Sequence, residues 1–80
     1  MHSEHRIHIF INKKQFEFEH HVQTGEHLKQ SAGIPLGDLL FLQRPGEDEV
    51  IANDAKIALR IGEHFHSQPP AELRLGGGTY

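Results

Sequence analysis

The chain predicts a small α+β domain: a mixed sheet of four to five strands, one main helix, and a flexible glycine tail at the C-terminus. Three observations predict it. Two segments near the N-terminus alternate apolar and polar residues, the period of half-buried strands. One helix-length segment lies between a capping threonine and a terminating glycine. Several short apolar runs then follow, separated by turn residues, before the chain ends in a glycine run.

Residues 6–12 place Ile7, Ile9 and Ile11 on one face and His8 and Phe10 on the other. Asn12-Lys13-Lys14 reads as a tight turn. Residues 15–20 alternate again, with Phe16 and Phe18 opposite Gln15, Glu17 and Glu19, so the pair reads as a hairpin with one apolar face. Thr24 is a helix N-cap whose hydroxyl can accept from a free amide of the first turn, and Glu26 suits the helix dipole. The helix runs from Gly25 to Ala32 and turns Leu28 and Ala32 to the core. Gly33 supplies the left-handed stop, and Pro35 prevents continuation. Residues 39–42 form a strand, 45–49 a charged turn, 50–51 a short strand and 53–54 another turn; Ile57 and Leu59 return to the core. Gly62 breaks the chain before a last strand over 63–67 that carries Phe65, and Pro69-Pro70 ends the pairing for want of donors. Residues 1–68 are therefore the domain and 69–80 an extended arm.

Composition removes several functions. There is no cysteine, hence no disulfide, no thiolate metal site and no cysteine nucleophile. The net charge of −3 gives nucleic acid no electrostatic footprint. No apolar run approaches the roughly 18 residues of a membrane span, and residues 1–6 lack the apolar region of a signal peptide. The eight histidines would take the formal charge from −3 to +5 if all were protonated. His64 and His66 fall on one strand face, yet no metal-ligand spacing joins the histidines, so surface imidazoles are expected and no metal or cofactor. No serine sits in a catalytic context, and the glycines precede no helix that could cradle phosphate. A chain that is not an enzyme is expected.

The glycine end resembles a known one. Leu73-Arg74-Leu75-Gly76-Gly77-Gly78 is similar to the Leu-Arg-Leu-Arg-Gly-Gly end of ubiquitin, with Gly76 where ubiquitin has its second arginine and with Thr79-Tyr80 beyond. Gly33-Ile34-Pro35 resembles the Gly-Ile-Pro that ends ubiquitin's long helix, and the Leu-Leu-Phe-Leu run at 39–42 resembles the strand after it. The resemblance implies the β-grasp fold and the bacterial ubiquitin-like proteins, the multi-ubiquitin type among them. It further implies a cytoplasmic protein modifier made as a precursor, in a conjugation system, with antiviral defence as its setting. Gly77 and Gly78 would enter an activating enzyme that uses ATP, and Arg74, flanked by Leu73 and Leu75, would be read by that enzyme. A conjugating enzyme, target proteins and a processing or deconjugating peptidase are the other partners. Processing would fall between Gly78 and Thr79, with a cut after Gly77 as the alternative. Two other classes stay open: a sulfur carrier ending in a thiocarboxylate, and a non-covalent interaction or assembly module.

Residues 39–42 are apolar on both parities, and one helix covers one face of a sheet. Placing Leu39 and Phe41 in the core with Ile7, Ile9, Ile11, Phe16, Phe18, Leu28, Ile34, Ile57, Leu59 and Phe65 leaves Leu40, Leu42 and Phe10 on the outer face as a partner-binding patch. Self-association would use the same face.

Overall fold

The structure is a computed structural model and describes residues 6–70. β1 (Ile7–Ile11) and β2 (Lys14–Phe18) form the N-terminal hairpin, closed by Asn12 and Lys13 at φ 52° and 71°. Two successive residues in the left-handed region match the twist of the flanking strands, and asparagine tolerates that region well. β3 (Val22–Thr24) leads into α1 (Gly25–Ala32), and β4 (Leu39–Leu42), β5 (Glu49–Ile51), β6 (Lys56–Ala58) and β7 (His64–Gln68) follow. The main sheet has the order β2-β1-β7-β4-β5, with β1 and β7 parallel and the other neighbours antiparallel. β3 and β6 form a separate two-stranded ladder. The expected mixed sheet with one helix is present; β3 and β6 are additional, because three residues each are too few to show a period.

The helix begins and ends as its caps dictate. Thr24 Oγ1 accepts from the His27 N–H at 3.1 Å, and Gly33 sits at φ 74° with Ile34 N–H donating to Lys29 O at 2.8 Å. Tertiary contacts hold the first turn: Gly25 N–H donates to Ala55 O and Glu26 N–H to Asn53 O. A Cβ on Gly25 would lie 2.2 Å from Ala52 O, so this turn admits only glycine there.

Among the described residues Lys29 is the one charged residue that is buried, at 3% exposure. Its Nζ donates to Leu36 O at 3.1 Å, to Asn53 Oδ1 at 2.7 Å and to Asp38 O. Three acceptors match the three donors of an ammonium, so the helix, the 36–38 link and the turn at 53 are tied at one point.

The core comprises Ile7, Ile9, Ile11, Phe18, Leu28, Ile34, Leu40, Leu42, Ile51, Leu59 and Phe65, with Phe16 and Ile57 packed against it and partly buried. The expected parity of β4 is reversed. Leu40 and Leu42 are 0% and 3% exposed, while Leu39 is 38% exposed and Phe41 half-buried. The cause is register. Leu42 lies opposite Phe65, which is opposite Ile11 across the parallel pair; Leu40 lies opposite Ile51. Partners opposite one another share a face, so Leu42 and Leu40 must point inward.

Two measurements check this packing. Leu40→Ala should cost about 2–5 kcal/mol in urea denaturation and Leu39→Ala less than about 1, and equal costs would reject the register. Lys29→Met should cost about 1–3 kcal/mol by stranding carbonyl acceptors, and an unchanged midpoint would show that the ammonium is not needed.

Candidate functional site

The face of the main sheet opposite the core carries the features that stand out. Register places on it His8 and Phe10 from β1, Gln15 and Glu17 from β2, His64 and His66 from β7, Leu39 and Phe41 from β4, and Val50 from β5. Val50 is 57% exposed and lies opposite Phe41. Phe10 falls on this face as expected, half-buried. Leu40 and Leu42 do not; the apolar residues here are Phe10, Leu39, Phe41 and Val50.

The two phenylalanines are each covered by an imidazole. Phe10 and His64 stack with ring centroids 4.7 Å apart and planes at 10°. Phe41 and His66 stack at 5.1 Å and 15°. Because β7 lies between β1 and β4, His64 leans one way and His66 the other. The two rings therefore diverge instead of converging on one ion. Among the described residues, no group of three or more His, Cys, Asp or Glu could hold a metal.

Between the diverging rings lies a shallow cleft of about 400 Å³, rimmed by Asn12, Lys13 and Gln43. Asn12 is fixed there: its Nδ2 donates to Ser67 Oγ at 3.0 Å and its Oδ1 accepts from Ser67 N–H at 3.1 Å, locking the hairpin turn to β7. Charge sits at the margins. His66 Nε2 is 3.5 Å from Asp48 Oδ2, His8 Nε2 is 3.5 Å from Glu17 Oε2, and Arg44 Nε donates to Glu49 Oε1 at 2.7 Å. An apolar centre, imidazole edges and a polar rim make a surface suited to binding.

Leu73, Arg74, Leu75, Gly77, Gly78 and Thr79 lie outside the described residues. Among the described residues, β7 ends at Gln68, opposite Leu39, and the sequence continues as Pro69-Pro70. Sequence reasoning missed Leu39, Phe41 and Val50 as surface residues. The parity of 39–42 follows from the pairing of Leu42 with the inward Phe65, and that register is not readable in the chain alone. No helix among the described residues is long and apolar enough to cross a membrane. Compared with protein-family models, with curated proteins and with solved structures, the chain matches none of them.

The stacks are testable as interactions. A double-mutant cycle on Phe10→Ala and His64→Ala should return a coupling of about 0.5–1.5 kcal/mol in denaturation, and strict additivity would show that the stack contributes nothing.

Proposed function

We propose that this chain is a ubiquitin-like modifier on a β-grasp domain, processed after Gly78 and joined to target proteins through the carboxylate of that residue. The observation that carries this reading is the path of the chain. A hairpin feeds one helix, the chain returns to the sheet, and its last strand, β7, lies parallel to β1 in the sheet centre and leads toward Leu73-Arg74-Leu75-Gly76-Gly77-Gly78. A β-grasp domain is built in this order, and a glycine end is what its adenylated members present.

The chemistry belongs to partner enzymes in the cytoplasm. The Gly78 carboxylate would attack the α-phosphate of ATP and release pyrophosphate. A cysteine thiolate of the activating enzyme would then displace AMP, leaving a thioester that a conjugating enzyme passes to an amine or hydroxyl of the target. This chain contributes a carboxylate without a side chain beside it, an arginine for recognition, and a surface for docking. Arg74 suits pairing with an acidic enzyme surface. The outer face, with Phe10, Leu39, Phe41 and Val50, is the docking surface; Leu40 and Leu42 belong to the core.

In this sequence the Gly78 carbonyl is an amide to Thr79, which cannot attack ATP. The test uses chains ending at Gly77, Gly78 and Tyr80, each given ATP and the activating enzyme. Thioester should form with the Gly78 chain, weakly with the Gly77 chain, and with the Tyr80 chain only after a peptidase releases Thr79-Tyr80. Equal thioester from the uncut chain would sink the precursor reading. Intact mass separates the sulfur-carrier class, since a thiocarboxylate replaces one oxygen by sulfur, whereas a modifier yields protein adducts. Arg74→Ala should slow adenylation about tenfold or more, the loss of one charge-assisted pair.

A further inference from the structure

Among the described residues β2 is an edge strand of the main sheet, and hydrogen bonding on the far side of β1 shows which of its backbone groups have no partner there. Phe10 N–H donates to Glu63 O at 2.8 Å, Asn12 N–H donates to Phe65 O at 2.9 Å, and His8 O accepts from Gly62 N–H at 2.7 Å. The even-numbered residues of β1 are thus turned away from β2. Ile7, Ile9 and Ile11 carry the ladder to β2, where they lie opposite Phe18, Phe16 and Lys14. Backbone groups alternate in direction along a strand, so the N–H and C=O of Gln15 and Glu17 point out of the free edge. Phe16, between them on the core side, is only partly buried.

This edge is complementary to itself. Let a second copy run antiparallel about a two-fold axis at Phe16. Gln15 of each copy then faces Glu17 of the other as a hydrogen-bonded pair, which forms four N–H···O=C bonds in all. The two Phe16 rings meet at a non-hydrogen-bonded position, where cross-strand side chains approach most closely. Lys13, in the turn just before β2, and Glu19 of the second copy, just past β2, then come near each other at both ends of the pairing, and both residues are exposed. Charges on an edge strand ordinarily keep other strands away. Here an antiparallel copy meets the opposite sign.

We infer that β2 is a homodimerisation edge that joins two sheets into one continuous sheet. The axis stands perpendicular to the sheet, so both helices lie on one side and both outer faces on the other. The dimer presents the Phe10–Phe41 surface twice in one plane, which raises avidity for any partner that repeats or lies on a surface. This inference does not depend on the modifier reading.

A single strand pair buries less than the roughly 1,200 Å² of a standard interface, so the dimer is weak and is sought between about 10 µM and 1 mM. Sedimentation equilibrium of the full chain at low salt should show the mass doubling across that range. Gln15→Pro removes an N–H that pairs with no described residue, at an edge position where proline is tolerated. It should stay monomeric throughout, with the amide spectrum of a folded domain. Lys13→Glu sets like charges opposite each other and should raise the dimer Kd about tenfold, and Lys13→Glu with Glu19→Lys should restore it. A wild-type chain that is monomeric at about 1 mM, or a dimer whose Kd is unmoved by the charge reversal, overturns the inference. Should Gln15→Pro fail to fold, the charge series decides alone.

Discussion

The position of β7 between β1 and β4 sorts the side chains of the main sheet. Phe65 lies opposite Ile11 on one side and Leu42 on the other, and it is buried. A strand's period of two then leaves no freedom: with Phe65 inward, His64 and His66 must face outward, and so must the residues opposite them. Phe41 is opposite His66 and Phe10 is opposite His64, which is why each phenylalanine meets an imidazole. The aromatic face is thus the obligatory reverse side of the core. A shift of one residue in β7 would bury two imidazoles and expose Phe65, at a cost a domain this small could not bear.

One short helix has to cover the inner face, and it cannot do so on its own stability. Eight residues are below the length at which an isolated helix persists in water. Its place is enforced from both ends. At the start, the carbonyls of Asn53 and Ala55 satisfy its first amides, and the close approach of Ala52 O requires Gly25. Further along, Lys29 gathers Leu36 O, Asp38 O and Asn53 Oδ1, while Asn53 Nδ2 also donates to Leu36 O at 3.1 Å. Asn53 therefore serves the helix twice, through its backbone and its side chain. A buried ammonium is costly to desolvate, and complete hydrogen bonding is what makes it tolerable.

Local signals in the chain were legible where one residue type does one job. Thr24 capped, Gly33 turned left-handed, Asn12 closed the hairpin, and the Ile7–Ile9–Ile11 alternation marked the inner face of β1. Residues 39–42 were illegible in their parity, because Leu-Leu-Phe-Leu is apolar at every position and has no period to read. Only a partner strand supplies the answer, and pairing is a long-range fact. Lys29 was hidden for the converse reason. Its type suggests solvent, and its burial depends on carbonyls contributed by residues 36, 38 and 53, which converge only once the fold is made. Gly25 at a helix start reads as indifferent until Ala52 O is placed beside it. The outer face was foreseen as a surface but populated with the wrong leucines, and only Phe10 held its place.

The outer face includes β7, the strand that precedes the glycine run in sequence, and that order bears on the proposed function. β7 presents His64 and His66 to the outer face, and at Gln68 it hands the chain on toward Gly78. Gly78 lies ten positions beyond Gln68, so a carboxylate at Gly78 could reach at most about 35 Å from the end of β7. Under the proposed function, an enzyme that grips Phe10, Leu39, Phe41 and Val50 would also hold the end of β7, because Leu39 lies opposite Gln68. Docking energy gathered on the face is then available to position a terminus that has no side chains of its own to bind, since glycine offers only backbone. Under the proposed function a thin terminus would have to be recognised elsewhere, and the outer face, to which β7 contributes, would serve that need.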